Sequence, residues 1–301
     1  MNPTPLGPNG PHFSPLIQGY WRLDEWGYSA AELLDFIKGH VDLGITTVDH
    51  AAVYGGFTCE EQFGDALALD PALRERLQVV TKFGIHIPSA RFPDCQLGHY
   101  DTDAETIIHS VEASLSNLRT DRIDLLLLHR PDPLLNASDV ANAFEQLHAS
   151  GKVLHFGVSN FTPRQFELLQ SALSVPLVTN QVEINPLNDA VLWDGTLDQA
   201  QQQGVRPMAW SCLAGGRIFD ANDEDGARLW AELKTVGEEL GGASPDQVAY
   251  AWALRLPSRP LPIIGSGNLG RVRATVGALS LQLNREQWFR ILAAGQGAGV
   301  P

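Results

Sequence analysis

The sequence predicts an α/β protein built as one (β/α)8 barrel, a single domain over residues 1–301. Three observations lead there. Short apolar runs recur along the chain with amphipathic stretches between them, the mark of alternating strands and helices and of a parallel sheet. Most of these runs start about 25 to 33 residues apart, the length of a βα unit. No Pro/Ser-rich linker and no shift in composition divides the 301 residues, a normal length for one barrel of this kind.

Taken in order, the first strand is read in SPLIQGY (14–20), and Ser29 is placed to cap the helix that follows. ITTVD (45–49) is the second strand and QVVTKF (78–83) the third. A long segment rich in Pro, Gly and His then runs from 84 to 102, before Thr102 or Asp103 opens the next helix. DLLLLH (124–129) and VLHFGVS (153–159) are the fourth and fifth strands, and Thr162 followed by Pro163 is an N-cap before a proline at the first helical position. LVTNQVE (177–183), RPMAW (206–210) and LPIIG (261–265) complete the eight. After Trp210 the chain is long again, with a loop to about Gly226 and two helical segments, the second opened by Ser244 and Pro245. Both long segments follow the C-terminal ends of strands, the face on which such a barrel builds its site.

Composition narrows the function. Apolar residues make up 44% of the chain, enough for a large core. A formal net charge of −14 argues against nucleic acid or an anionic membrane as partner, since either requires a basic face. No apolar run approaches the roughly 20 residues that span a bilayer, and MNPTPLGPNGPHF lacks the basic and apolar parts of a signal peptide. Cys59, Cys95 and Cys212 are odd in number and scattered, as in a reduced compartment. The expectation is a cytoplasmic protein. His12, His86, His99 and Cys95 are spaced too loosely for a structural zinc pattern, so no metal is expected.

Gly265, Gly267 and Gly270 form G-x-G-x-x-G directly after the last strand, with Glu286 standing where a dinucleotide fold carries its acidic residue. Position rules out that fold. Only 31 residues follow Gly270, too few for further βαβ units, and the first βα junction, ITTVDHAAVYGG, has no such motif. A glycine-rich strand end at a helix start nevertheless offers backbone N–H groups to a phosphate.

Titratable residues gather at the strand ends. Asp49 ends the second strand, Tyr54 follows in D-H-A-A-V-Y-G, Lys82 lies near the end of the third, and His129 ends the fourth in L-L-L-L-H-R-P. Each taken alone reads as structural: a buried Lys82–Asp49 ion pair, a satisfied core histidine, a loop aromatic. Together, on one face and behind apolar runs, they read as a reaction site. A carbonyl that receives a hydride needs a proton on its oxygen, and a phenol with an ordinary pKa of about 10 gives it more readily beside an ammonium. Lys82 would lower the Tyr54 pKa, Asp49 would hold Lys82 charged, and His129 would hydrogen-bond and orient the carbonyl oxygen.

These motifs, D-x-x-x-x-Y-G, a third-strand Lys, L-L-L-H, G-V-S-N-F and Q-x-E-x-N-P, occur in an order that resembles the aldo-keto reductases, of the bacterial single-domain type, from Pro15 to about Phe289. The resemblance implies a TIM barrel, NADPH, and reversible reduction of aldehydes or ketones to alcohols. It makes Tyr54 the general acid, with Lys82, Asp49 and His129 as its partners. It also implies that Ser159, Asn160 and Gln181 hold the nicotinamide carboxamide and that Trp210 stacks on the nicotinamide ring. Ser211, Leu213, Gly215 and Gly216 match the loop over the pyrophosphate. Gly265, Ser266 and Gly267 with Arg271 match the grip on the 2'-phosphate of NADP+, which favours NADPH over NADH. Two positions depart from the common pattern: Gly265 replaces a Lys, and Thr275 stands where an Asn often meets the adenine.

Tyr20, Trp21, Trp26 and Phe83, with the loop to Tyr100 and Pro131 and Pro133, are expected to wall an apolar pocket. Such a pocket favours aromatic or medium-chain aldehydes over charged sugars, and the short Gly-rich C-terminal stretch keeps it open. Two other readings stand beside the reductase: an NADPH-binding redox sensor with negligible turnover, and a lyase in which Lys82 forms a Schiff base.

Overall fold

The computed structural model describes residues 1–8 and 10–299. Eight parallel strands close into a barrel in which each neighbour in sequence is also the neighbour in space. They are β1 (Ile17–Gly19), β2 (Thr47–Asp49), β3 (Gln78–Phe83), β4 (Leu125–Leu128), β5 (Phe156–Ser159), β6 (Leu177–Glu183), β7 (Met208–Trp210) and β8 (Leu261–Ile264). β8 pairs with β1 through Ile263 and Ile17, which removes both sheet edges. Every strand lies within the stretch read from sequence, trimmed by up to three residues at an end.

The helices sit where the caps place them. Ser29 begins α1 (Ala30–Asp42) with a full capping box to Glu32, Asp103 begins α3 (Ala104–Asn117), and Thr162 and Gln165 cap α5 (Pro163–Ala172). Between these lie α2 (Cys59–Leu67) and α4 (Ala137–Ala149). Thr196–Gln203 forms α6, and the long segment after β7 holds α7 (Glu224–Glu239) and α8 (Pro245–Leu254), where the Ser244 amide donates to Gln247 Oε1 at 3.0 Å. Leu269–Thr275 and Arg285–Gln296 are α9 and α10.

Alternation along each strand divides the core. Ile17, Val80, Leu125, Leu127, Met208, Leu261 and Ile263 point inward, whereas Leu126, Leu128, Phe156 and Val158 face the outer helices. The lower end is stopped by an element the sequence reading missed, a hairpin pairing Thr4–Pro5 with His12–Phe13. Its Leu6 and Phe13 are fully buried among the inward residues, and the Ser14 amide donates to Thr47 Oγ1 at 3.0 Å. The segment after β3 forms a second small hairpin, Ile85–His86 with His99–Tyr100, in which the two histidine rings stack at 5.2 Å. Among the described residues no group of three or more His, Cys, Asp or Glu is placed to hold a metal, and no helix is long and apolar enough to cross a membrane.

Candidate active site

At the upper end of the barrel, inward parity brings the strand-end residues together. Lys82, nearly without exposure, donates from Nζ to Asp49 Oδ2 at 2.8 Å, to Tyr54 Oη at 2.9 Å and to the His50 carbonyl at 2.8 Å. All three ammonium donors therefore have acceptors. Asp49 is held at its other oxygen by Gln181 Nε2, again at 2.8 Å. Tyr54 lies in a turn after β2 whose next residue, Gly55, takes a φ of 58°. A Cβ at Gly55 would also come within 2.7 Å of Cys59 Sγ, so glycine is required for space as well as for backbone angle. The Tyr54 and His129 rings meet edge to face at 5.8 Å.

Electrostatics at the cluster differ in one respect from the sequence expectation. Burial opposes charge on Lys82, but Asp49 and Tyr54 overcome it and hold the ammonium above the ordinary lysine value. Burial also pushes the Tyr54 phenol up, and the pull of Lys82 in the other direction does not cancel it. The expected lowering of Tyr54 is thus corrected: the phenol stays protonated and Lys82 stays charged. His129 is driven well below its ordinary value by burial, then by Lys82 and Arg130, so it stands neutral as a hydrogen-bonding group.

The ledge beside the cluster is a connected network. Ser159 Oγ donates to the Gln181 carbonyl at 2.9 Å, Asn160 Nδ2 to Ser159 Oγ at 2.8 Å, and Trp210 Nε1 to Asn160 Oδ1 at 3.1 Å. Arg130, which the sequence reading passed over, places its guanidinium 5.7 Å from the centre of the Trp210 ring. It has no carboxylate within ion-pair distance among the described residues, and nearby Asp132 is engaged by Thr102 at 2.8 Å. Its position directly after His129 was the signal available in the sequence.

Backbone form marks the next stretch. Asn160 and Ser211 (φ 58°), Ala214 (φ 51°), Gly215 (φ 67°) and Gly216 (φ 101°) all lie in the left-handed region. A Cβ at Gly216 or at Gly265 would meet nothing within 4 Å, so a ligand can approach the main chain there. Leu213 is half-buried in the same loop, and Ser211 accepts from Asn185 through its carbonyl. Gly265, Ser266 and Gly267 follow β8, Asn268 caps α9 by accepting from the Arg271 amide at 3.1 Å, and the Arg271 side chain is exposed. The loop after β1 reaches across this ledge: Arg22 donates to the Gly215 carbonyl at 3.1 Å and Tyr28 to that of Gly267 at 2.5 Å.

Three expected site residues are elsewhere. Tyr20 is fully buried on the outer side of the barrel, bonded to His40 Nε2 at 2.8 Å and stacked on His50 at 4.7 Å. Phe83, one residue past inward-facing Lys82, turns outward onto Phe144. Thr275 is buried with its hydroxyl bonded back to the Arg271 carbonyl at 3.0 Å, so it presents nothing to a base. Of the remaining pocket candidates, Trp21 is exposed, while Trp26 is half-buried over Gly267, whose Cβ would lie 2.4 Å from the indole.

Comparison with known proteins places the chain in a family and agrees with the barrel fold. The model of the Aldo/keto reductase family matches residues 15–295. The chain is 59% identical over 98% of both chains to oxidoreductase YdhF of Escherichia coli (strain K12). It is also 42% identical to a 6-dehydroglucose reductase of Agrobacterium fabrum, covering 95% of this chain and 96% of the other. In structure it is similar to a thermostable aldo-keto reductase, Tm1743, solved with the inhibitor epalrestat, at a TM-score of 0.81 and 26% identity over 98% of this chain and all of that one.

Proposed function

The chain belongs to the aldo/keto reductase family and is an oxidoreductase; from that premise we propose that it reduces aldehydes or ketones to alcohols with NADPH, Tyr54 acting as the general acid. The observation that carries the reading is the Asp49–Lys82–Tyr54 chain of hydrogen bonds, ending on a phenol beside neutral His129. NADPH when bound would supply a hydride to the carbonyl carbon. Trp210, Asn160 and Ser159 would hold its nicotinamide end, the main chain at Gly215 and Gly216 its pyrophosphate, and Ser266 and Arg271 a 2'-phosphate by charge-assisted hydrogen bonds.

This chain's residues do the rest. His129 donates to the carbonyl oxygen and orients it. Tyr54 Oη gives its proton to that oxygen as negative charge builds there, and the resulting phenolate is held by Lys82 until water reprotonates it. Asp49 fixes the ammonium that makes the phenolate tolerable. Residues Arg74 and Asp124 form a second buried ion pair at 2.7 Å, but it lies just before β3 and β4 begin and belongs to the scaffold.

Substrate choice has two readings. Trp21 and Pro131, on the loops after β1 and β4, support apolar aldehydes, as expected from sequence. With Tyr20 and Phe83 withdrawn into the core and Arg130 at the mouth, the lining is more polar than that expectation, which favours a neutral sugar aldehyde of the kind named in the 6-dehydroglucose reductases. The test follows NADPH absorbance with benzaldehydes, alkanals and 6-dehydroglucose, alongside Tyr54→Phe. Turnover lost in the variant with NADPH binding kept supports the reading. Binding without turnover on any carbonyl moves the redox-sensor reading forward, and borohydride trapping of a substrate on Lys82 moves the lyase forward.

A further inference from the structure

A cavity of about 840 Å³ opens at the end of the barrel opposite the candidate active site, among the starts of β7 and β8 and the end of α8. Arg206, Arg255 and Arg259 line it together with Leu254, Leu279 and Leu281, and no Asp or Glu is in the lining. That composition is unexpected in a chain with 35 acidic residues and 21 basic ones. None of the three guanidinium groups has a carboxylate within 4.0 Å among the described residues. Arg255 is oriented by donating from Nε to the Leu283 carbonyl at 3.1 Å, and Arg259 is held at a φ of 50° that arginine seldom adopts. Between Pro257 and Arg259, Ser258 carries a buried hydroxyl with no partner among the described residues.

Arg255 and Arg259 are exposed and Arg206 is half-buried, so water screens much, but not all, of their mutual repulsion. Arg206 is held below its ordinary value, first by burial and then by Arg259. An anion would relieve that repulsion and accept from the paired N–H groups of more than one guanidinium. The leucine side of the cavity offers a place for an apolar body. A smaller apolar hollow of about 160 Å³, walled by Trp288 and Phe289, shares Arg255, Leu256 and Pro257 with it and extends that surface.

We propose that this cavity is a second binding site, independent of the reductase site, for a small amphiphilic anion: a carboxylate on an apolar chain, its head between Arg206 and Arg259 and its tail along Leu254, Leu279 and Leu281. Calorimetric titration of the whole protein with octanoate, 1-octanol and inorganic phosphate tests it, together with the double variant Arg206→Gln/Arg259→Gln. Octanoate is expected to bind saturably, at least tenfold more tightly than either octanol or phosphate, and to lose at least tenfold in the double variant. Without octanoate, that variant keeps its NADPH-dependent turnover within about twofold. If it fails to fold, Arg259→Gln alone, at an exposed residue, replaces it and is expected to weaken octanoate at least threefold. Equal affinity for octanol, unchanged binding in the Gln variant, or displacement of octanoate by saturating NADP+ overturns the proposal. These are binding readouts, so they stand or fall separately from the reductase reading.

Discussion

Gln181 Nε2 donates to Asp49 Oδ1 across the inside of the barrel, joining β6 to β2, while the other oxygen of Asp49 receives Lys82. The glutamine that the family resemblance assigns to the nicotinamide carboxamide has its amide N–H turned toward the proton-handling residues. Gln181→Leu removes a hydrogen bond to a buried carboxylate, an effect of about 1.5–3 kcal/mol on stability. Urea unfolding reads that loss. In steady-state kinetics kcat is expected to fall about tenfold; a change confined to the KM for NADPH would assign Gln181 to cofactor binding alone.

Arg130 stands over the Trp210 ring with no acid within ion-pair distance among the described residues, beside the neutral His129. Arg130→Met removes a cation–π contact, an effect of about 0.5–2 kcal/mol, together with a positive charge at the mouth. The expected outcome is a several-fold loss in kcat/KM for polyhydroxy or carboxylate-bearing aldehydes and little change for benzaldehyde. Equal losses on both would show that the residue acts on the shared machinery.

His50 is fully buried between Tyr20 and Phe63, and neither ring nitrogen has a partner among the described residues. Burial, then Lys82, lowers its pKa to about 3, and burial lowers that of His40 to about 4. Both bind protons in the unfolded chain near pH 6.5 but not in the folded one, so the unfolded state takes up more protons as pH falls from there. Stability contributed by their neutral forms is present above pH 6.5 and declines on acidification toward pH 4, by roughly 1 kcal/mol per pH unit per histidine. His50→Phe keeps the ring stack and removes one of these titrations. Its unfolding free energy is expected to equal or exceed the parent's at pH 7 and to fall less steeply between pH 6.5 and 5.

Gly64 lies within α2, where alanine would ordinarily add up to about 1 kcal/mol of stability. Here a Cβ would stand 2.0 Å from the Asn117 carbonyl oxygen at the end of α3. Gly64→Ala is therefore expected to destabilise by about 1–3 kcal/mol, the cost of overpacking. A raised melting temperature would refute the close approach of these helices.

Strand positions were legible because each barrel strand is a short apolar run bounded by turn residues and by a strong cap such as Ser29 or Thr162. The polar strand ends were legible for a related reason: Lys82 and His129 follow apolar runs, where a charge invites explanation. The misread residues all sit where a neighbour decides orientation. Tyr20 and Phe83 are each one residue away from inward-facing positions, so two-residue alternation sends them outward, and applying that rule to the strand ends would have excluded them. Thr275 was misplaced because a hydroxyl on a helix can bond to the carbonyl one turn back, which no spacing reveals. Nor does spacing show that Gln181 would face Asp49 from 132 positions away.

Because Leu6 and Phe13 of the leading hairpin stop the strands at their starts, the barrel is a cup rather than a tube. Whatever reaches Lys82 must arrive and depart by the same rim, so whichever molecule settles deepest is the first in and the last out.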